Sequence, residues 1–512
     1  MRSRELKKAA WLALATALFA ASPARADDPK LDSIETIVVL YAENRSFDNL
    51  YGLFPGANGL QNVTAEAARQ VDRDGGVLAE LPPIWHGLTA PGVKPAIGEA
   101  QTAHLPNAPF AIDDPQRFNL SLAVATHDLV HRFYQNQMQI DGGKNDRFVA
   151  WGDSGALVMG HYNGAGLALW DVAKKYVLAD NFFMGTFGGS FMNHVYLACA
   201  CVASYPNADK SPAKAEISAV EDDGVSLKVT AESPKSALQG VPVFVADKGL
   251  TPDFYAVNTM QPPYQPSGVK SPKDGDKRFA NPDASSVLVP QSETTVGDLL
   301  SAKGVSWAYY AGAWASALEG RNSTPTPNFT YHHQPFNYFA NFGPGTPARA
   351  EHIRDGGLFG SEFIKAIDAG QLPQVAFYKP QGNLNEHPGY ADVLAGDAHL
   401  ADLVAHLEKS PQWPHMLVVI TYDENGGFWD HVAPPKGDRW GPGLRIPTLI
   451  VSPFAKRGTV DHTLYDTSSI LRFITKRFDL PVLAGLKARD AAMAKAGSGQ
   501  LGDLTGALDL AK

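Results

Sequence analysis

The sequence predicts an α/β fold with a doubly wound, mainly parallel sheet. Three observations predict it. Continuous apolar, β-branched runs of strand length, at 34–41 and 416–421, suit strands covered on both faces. Such runs alternate with stretches of helical period. Both runs also stop abruptly at acids and amides, and open α/β sheets hold their ligands where parallel strands end.

In chain order, the 34–41 strand leads into Ala42-Glu43-Asn44-Arg45-Ser46-Phe47-Asp48-Asn49. A helix over 167–175 and a strand over 176–180 follow. Ser190, after Gly188-Gly189, opens a helix running toward Cys201. Beyond it come a helix over 296–302 and strands over 306–310 and 374–378. Leu400, Leu403, Val404 and Leu407 make one face of a helix over 397–407. A strand over 448–452 precedes a helix over 468–478, for which Thr467 or Ser468 is the expected N-cap.

The stretch 203–290 breaks the alternation. Glu221-Asp222-Asp223-Gly224 reads as a turn, 225–230 and 241–246 as short antiparallel strands, and 262–282 is rich in Pro, Gly and Lys. The expectation is a β-rich inserted lobe. The Ala- and Gly-rich last twenty residues are expected to pack loosely.

Residues 1–26 read as a signal peptide: Arg2, Arg4, Lys7 and Lys8, then a short apolar core, then Ala24-Arg25-Ala26. Residues 27–512 then form the working domain, periplasmic or secreted, with no later stretch suited to stable membrane insertion. Removing 1–26 takes away five of 44 basic and one of 53 acidic residues, leaving 39 against 52, a balance of −13. That acidity argues against nucleic acid as a partner. Cys199 and Cys201 stand two apart, too close for an unstrained bridge, and read as small buried side chains.

Two strand ends with like chemistry, Glu43-Asn44 and Asp423-Glu424, supply hard oxygen ligands for one divalent cation. A solvated acidic loop is the plainer alternative for the Asp423-Glu424 pair. All-oxygen donors suit Mg²⁺, Ca²⁺ or Mn²⁺ before Zn²⁺. Ser190 at a helix N-terminus has free amides beside it for an anion, although an ordinary N-cap serine looks the same. A cation at the four ligands would also reach its oxygen and activate it as a nucleophile. The loops with His127 or His131 (near Gln135), His332-His333, Glu386-His387 and His431 are candidates to complete the pocket. Protonated imidazoles there would bind phosphate and favour mildly acidic pH. His352, His399, His406 and His415 read as helix or surface residues.

Glu43-Asn44-Arg45-Ser46-Phe47-Asp48, Asp180-Asn181-Phe182-Phe183 and Asp423-Glu424-Asn425-Gly426-Gly427 with Asp430-His431 resemble, in order, the motifs of a bacterial phosphoesterase family. It contains acid phosphatase A and the phospholipases C. The resemblance covers about 34–480. It implies an alkaline-phosphatase-like core, with Glu43, Asn44, Asp423 and Glu424 as metal ligands and Ser190 as nucleophile and further ligand. It also implies His131, His333 and His387 in the phosphate pocket; Asn193 is assigned to the same substrate-binding set.

Phospholipases C of that family usually carry Thr at the nucleophile position and further C-terminal β domains. Ser190, the absence of such domains and the stretch Tyr331-His332-His333-Gln334-Pro335-Phe336 resemble the acid phosphatase branch. The expected function is an exported, metal-dependent acid phosphatase acting on small phosphate monoesters through a phosphoserine. The alternatives are a phospholipase C-type phosphodiesterase on choline phospholipids and, third, a non-catalytic periplasmic phosphate- or metal-binding protein.

Overall fold

A computed structural model describes residues 30–323 and 326–510. The expected signal peptide lies outside the described residues. The main sheet has eight strands: β1 (Thr36–Ala42), β2 (Val177–Ala179), β3 (Trp307–Gly312), β4 (Ile353–Gly357), β5 (Val375–Lys379), β6 (Met416–Tyr422), β7 (Thr448–Val451) and β8 (Thr459–Asp461). Their order across the sheet is β8-β2-β7-β6-β1-β5-β3-β4. All neighbours run parallel except β7, which is antiparallel to both β6 and β2. The fold is the mainly parallel α/β architecture that the sequence predicts.

Every residue of β1, β5 and β6 is buried, in keeping with their largely apolar composition, and Lys379 at the end of β5 is buried with them. In register Ala42 faces Tyr422, and Leu40 faces Tyr378 on the other side. The C-terminal ends of these three strands therefore lie side by side. Glu43, Lys379 and Asp423 are delivered to one place by strand pairing alone.

The helices of the fold include α1 (Phe47–Tyr51), α2 (Ala168–Lys175), α3 (Ser190–Cys199), α4 (Val296–Lys303), α5 (Val393–Lys409), α6 (Thr467–Arg477) and α7 (Ala484–Ala496). Helix α5 starts earlier than its apolar period indicates, because Asp392 caps it by accepting from Ala395 N at 2.8 Å. Asp397, inside α5, in turn accepts from Ala168 N and Leu169 N at the start of α2. The cap of α6 is Asp466, one residue before the expected Thr467. Its Oδ1 takes Ser468 N and its Oδ2 takes Arg489 of α7.

Three expectations need correction. Cys199 and Cys201 form a disulfide, with Cα atoms 5.1 Å apart. Ala200 between them is left-handed (φ 51°, ψ 34°) at the C-cap of α3, and this reverses the chain so that the two sulfurs meet. Second, 203–290 has no strand ladder. The pairs expected at 225–230 and 241–246 reduce to one bridge, Val229 with Phe244, flanked by Thr230 N→Val243 O and Val245 N→Lys228 O. Pro242 lacks an amide to extend the pairing. Third, the last residues are packed: Leu504 and Ala507 are fully buried, and Lys456 N donates to Ala507 O.

Candidate active site

Past the end of β1, Asn44 adopts a left-handed conformation (φ 62°), and its amide donates to Asp423 Oδ1 at 3.0 Å. Glu424 N donates to the same oxygen at 2.8 Å. Asp423 Oδ1 thus ties the two strand ends together. Asp423 Oδ2 is buried and has no hydrogen-bond partner. Glu424 is held by Gly426 N at 2.6 Å on Oε2, which leaves Oε1 toward Ser190.

Ser190 is the first residue of α3, where the amides of the opening turn have no partners within the helix. Its Oγ donates to Asn44 Oδ1 at 3.1 Å and lies 3.5 Å from Glu424 Oε1. Gly188 and Gly189 permit this approach. A Cβ on Gly188 would lie 2.6 Å from Phe133 N, and one on Gly189 2.6 Å from His131 O. Ser190 opens onto a cavity of about 580 Å³ whose wall includes Glu43, His127, His131, His332, His387 and Tyr390.

Of the two histidines left open by the sequence, His131 is the one beside the acids. Its Nε2 is 3.3 Å from Asn44 Nδ2 and 3.7 Å from Glu424 Oε1, and its Nδ1 is fixed by Leu129 O at 2.5 Å. His387 packs edge-on to His131 and stacks on Tyr390 at 4.4 Å, with Nδ1 on Pro388 O. His333 sits deeper. Its Nε2 lies 2.8 Å from Glu43 Oε1, and its neighbour His332 is the one on the cavity wall. Asn193 is not on that wall. Its side chain accepts from Thr186 N and approaches the carbonyls of Thr186, Gly188 and Gly189, bracing the loop before Ser190.

The phosphoesterase family model matches residues 34–481. The chain belongs to the phosphoesterase family. It is 24% identical over 525 residues to Phospholipase C B of Mycobacterium tuberculosis, covering 94% of this chain and 78% of that protein. It is 30% identical over 227 residues to the Non-hemolytic phospholipase C of Burkholderia pseudomallei, covering 36% of this chain and 32% of that protein. Among solved structures, a protein in the alkaline phosphatase superfamily from Vibrio parahaemolyticus aligns with a TM-score of 0.24 and 13% identity, over 39% of this chain and 51% of that one. As a member of its family, this phosphoesterase is a phosphoric ester hydrolase.

The electrostatics of the phosphoesterase site suit a cation. Burial and the nearby Glu43 push the Asp423 carboxyl up to about 6, against the pull of Lys379. Burial and Asp423 push Glu424 well above the usual carboxylate range, against His131. Burial would also raise Glu43, but His333 and Lys379 hold it well below. Burial lowers His131, and Glu424 and Asp128 outweigh it, for a net rise to about 9. Burial pushes His333 down to about 4, against the pull of Glu43 2.8 Å from its Nε2. Asp423, Glu424, Asn44 and Ser190 offer hard oxygens around an unpartnered buried carboxylate oxygen, and that donor set fits a divalent cation. Among the described residues, the groups of three acids and histidines with ligating atoms all within 4.8 Å of one another are Glu43-His332-His333, Asp128-His131-His387 and Asp48-Asp430-His431.

Sequence reasoning missed two contributors. His194, one turn after Ser190 on α3, donates Nδ1 to Ser190 O at 2.7 Å and lies 3.7 Å from Asp423 Oδ2. The i, i+4 spacing from Ser190 was a signal for it. Lys379 ends β5 with Nζ 3.2 Å from Glu43 Oε2. A lysine closing an otherwise apolar strand was its signal.

Proposed function

We propose that the chain is a metal-dependent phosphatase that hydrolyses phosphate monoesters through a phosphoserine at Ser190. The observation that carries this is the placement of the Ser190 hydroxyl. It stands at a helix N-terminus, on the wall of a cavity edged by imidazoles, within 3.5 Å of Glu424. A pure binding protein has no use for a hydroxyl so placed.

A divalent cation held by Glu43, Asn44, Asp423, Glu424 and Ser190 would supply positive charge to the attacking oxygen and to the phosphate. The chain's own groups do the rest. Phosphate seats against the free amides that open α3 and the imidazoles of His131 and His387. The Ser190 oxygen forms the new bond to phosphorus as the ester oxygen leaves, and Glu424 Oε1 is the carboxylate oxygen near enough to take the hydroxyl proton. A proton from an imidazole on the wall completes the leaving alcohol. Water then attacks the phosphoserine and returns the Ser190 hydroxyl. Two in-line displacements give net retention at phosphorus.

The test is chiral-phosphate analysis of the product with trapping of the labelled enzyme. Retention and a phosphate on Ser190 support the proposal; inversion with no labelled serine refutes it. A phospholipase C-type diesterase is the second reading, favoured by the names of the relatives matched along 94% of the chain. Rates on p-nitrophenyl phosphate and on p-nitrophenyl phosphorylcholine separate the two, since only the monoesterase is faster on the former.

A further inference from the structure

Lys379 is fully buried at the end of β5. An ammonium in that position costs several kcal/mol unless it is paired and hydrogen-bonded. Its partners are Glu43 Oε2 at 3.2 Å, Ala42 O at 3.1 Å and the face of Tyr41 at 5.4 Å. Among the described residues it is the only Lys or Arg within ion-pair distance of Glu43, Asp423 or Glu424. The imidazoles of His131, His194 and His333 also approach these acids.

We infer that Lys379 is a positioning residue that holds Glu43 and offsets one carboxylate beside the cation site. Donor accounting on Glu43 carries the first half. Oε1 takes one hydrogen bond, from His333, while Oε2 is held by both Lys379 and Asn385. Each carboxylate oxygen has two lone pairs, so Oε1 keeps one to offer a cation while Oε2 faces the ammonium. Charge carries the second half. The Lys379 ammonium, 3.2 Å from Glu43 Oε2, offsets one of the three carboxylates gathered at the strand ends. Without Lys379 that offset is lost, and Asn385 alone is left to hold Glu43 Oε2. This inference rests on the metal reading proposed above and concerns binding, not turnover.

The experiment is calorimetric titration of chelator-treated protein with Mn²⁺, Ca²⁺ and Zn²⁺ in turn, alongside circular dichroism. Wild type, Glu43→Gln and the double variant Glu43→Gln/Lys379→Met are compared. Glu43→Gln is expected to weaken binding at least about tenfold, or ~1.4 kcal/mol, because a ligand is lost and the ammonium is left uncompensated. Removing Lys379 as well is expected to restore binding at least about fivefold relative to Glu43→Gln, or ~1 kcal/mol. If Lys379 were merely structural, the second change would weaken binding further. The inference is overturned if the double variant binds no more tightly than Glu43→Gln. It is also overturned if the double variant unfolds while Glu43→Gln folds, since Lys379 would then be needed without its carboxylate partner. Uptake of none of the three ions by wild type would defeat the metal reading itself, a result distinct from both.

Discussion

At the scale of single residues, the two oxygens of Asp423 have different jobs. Oδ1 accepts from Asn44 N and Glu424 N, while Oδ2 is buried and unpartnered. Asp423→Asn can keep Oδ1 in place and replaces only the free oxygen with an amide. The expected outcome is a chelated protein within about 1 kcal/mol of wild type, since no buried hydrogen bond is lost, but with divalent-ion affinity down at least about tenfold. Thermal unfolding and calorimetry check the two halves separately. Ser190→Ala removes the nucleophile and leaves the helix amides. Turnover should fall by at least about 10³-fold, with inorganic phosphate still bound within roughly tenfold. Ser190→Thr keeps the hydroxyl but adds a methyl group at a buried helix start, and impaired, measurable activity is expected. Steady-state rates and phosphate titration distinguish these outcomes from catalysis by a free water.

At the scale of elements, the loop after β6 is pressed against the loop after β1. Gly426 has φ 62°, and a Cβ there would sit 2.2 Å from Asn44 O. Gly426→Ala carries the left-handed penalty of about 1–2 kcal/mol and must also push Asn44 away from Asp423. A stability loss of at least about 2 kcal/mol is expected, together with weakened ion binding; urea unfolding with and without the ion measures both. The same elements show what could be read from sequence. The strands were legible because full burial leaves an unbroken apolar run, and their ends were legible because acids there have no packing role. Helix starts were less so, since Asp392 and Asp466 lie outside the apolar period. The Cys199–Cys201 bridge depends on one left-handed alanine, and no property of alanine announces that conformation. Whether His131 or His127 meets the acids depends on how the chain enters the cavity wall, which is a tertiary matter. The same holds for Asn193, whose amide is spent on its own loop.

At the scale of the whole molecule, α1, the loop after β6 and the end of β2 meet around Arg445. Its guanidinium pairs with Asp430 and Asp48 and donates to the carbonyls of Asp180 and Asn58. His431 joins this knot with Nδ1 2.6 Å from Asp48 Oδ2. Burial lowers its pKa, but Asp48 overcomes that and raises it above the ordinary value. A raised imidazole stabilises the fold fully below its unfolded pKa, about 6.5, and that contribution fades as pH climbs through the folded value. The stability lost in His431→Asn should therefore be largest near pH 5.5 and smallest near pH 9, about a unit below and well above that reference. Urea unfolding across that range checks the sign, and a gap that widened with pH would contradict it. Distance along the chain has its own consequence. The bond from Asn44 N to Asp423 Oδ1 joins residues 379 positions apart. A nascent chain can build no part of that contact until nearly all of the sheet has been synthesised. An ion or phosphate that binds there recognises only the finished fold, and by mass action it stabilises that fold against any global unfolding that parts β1 from β6.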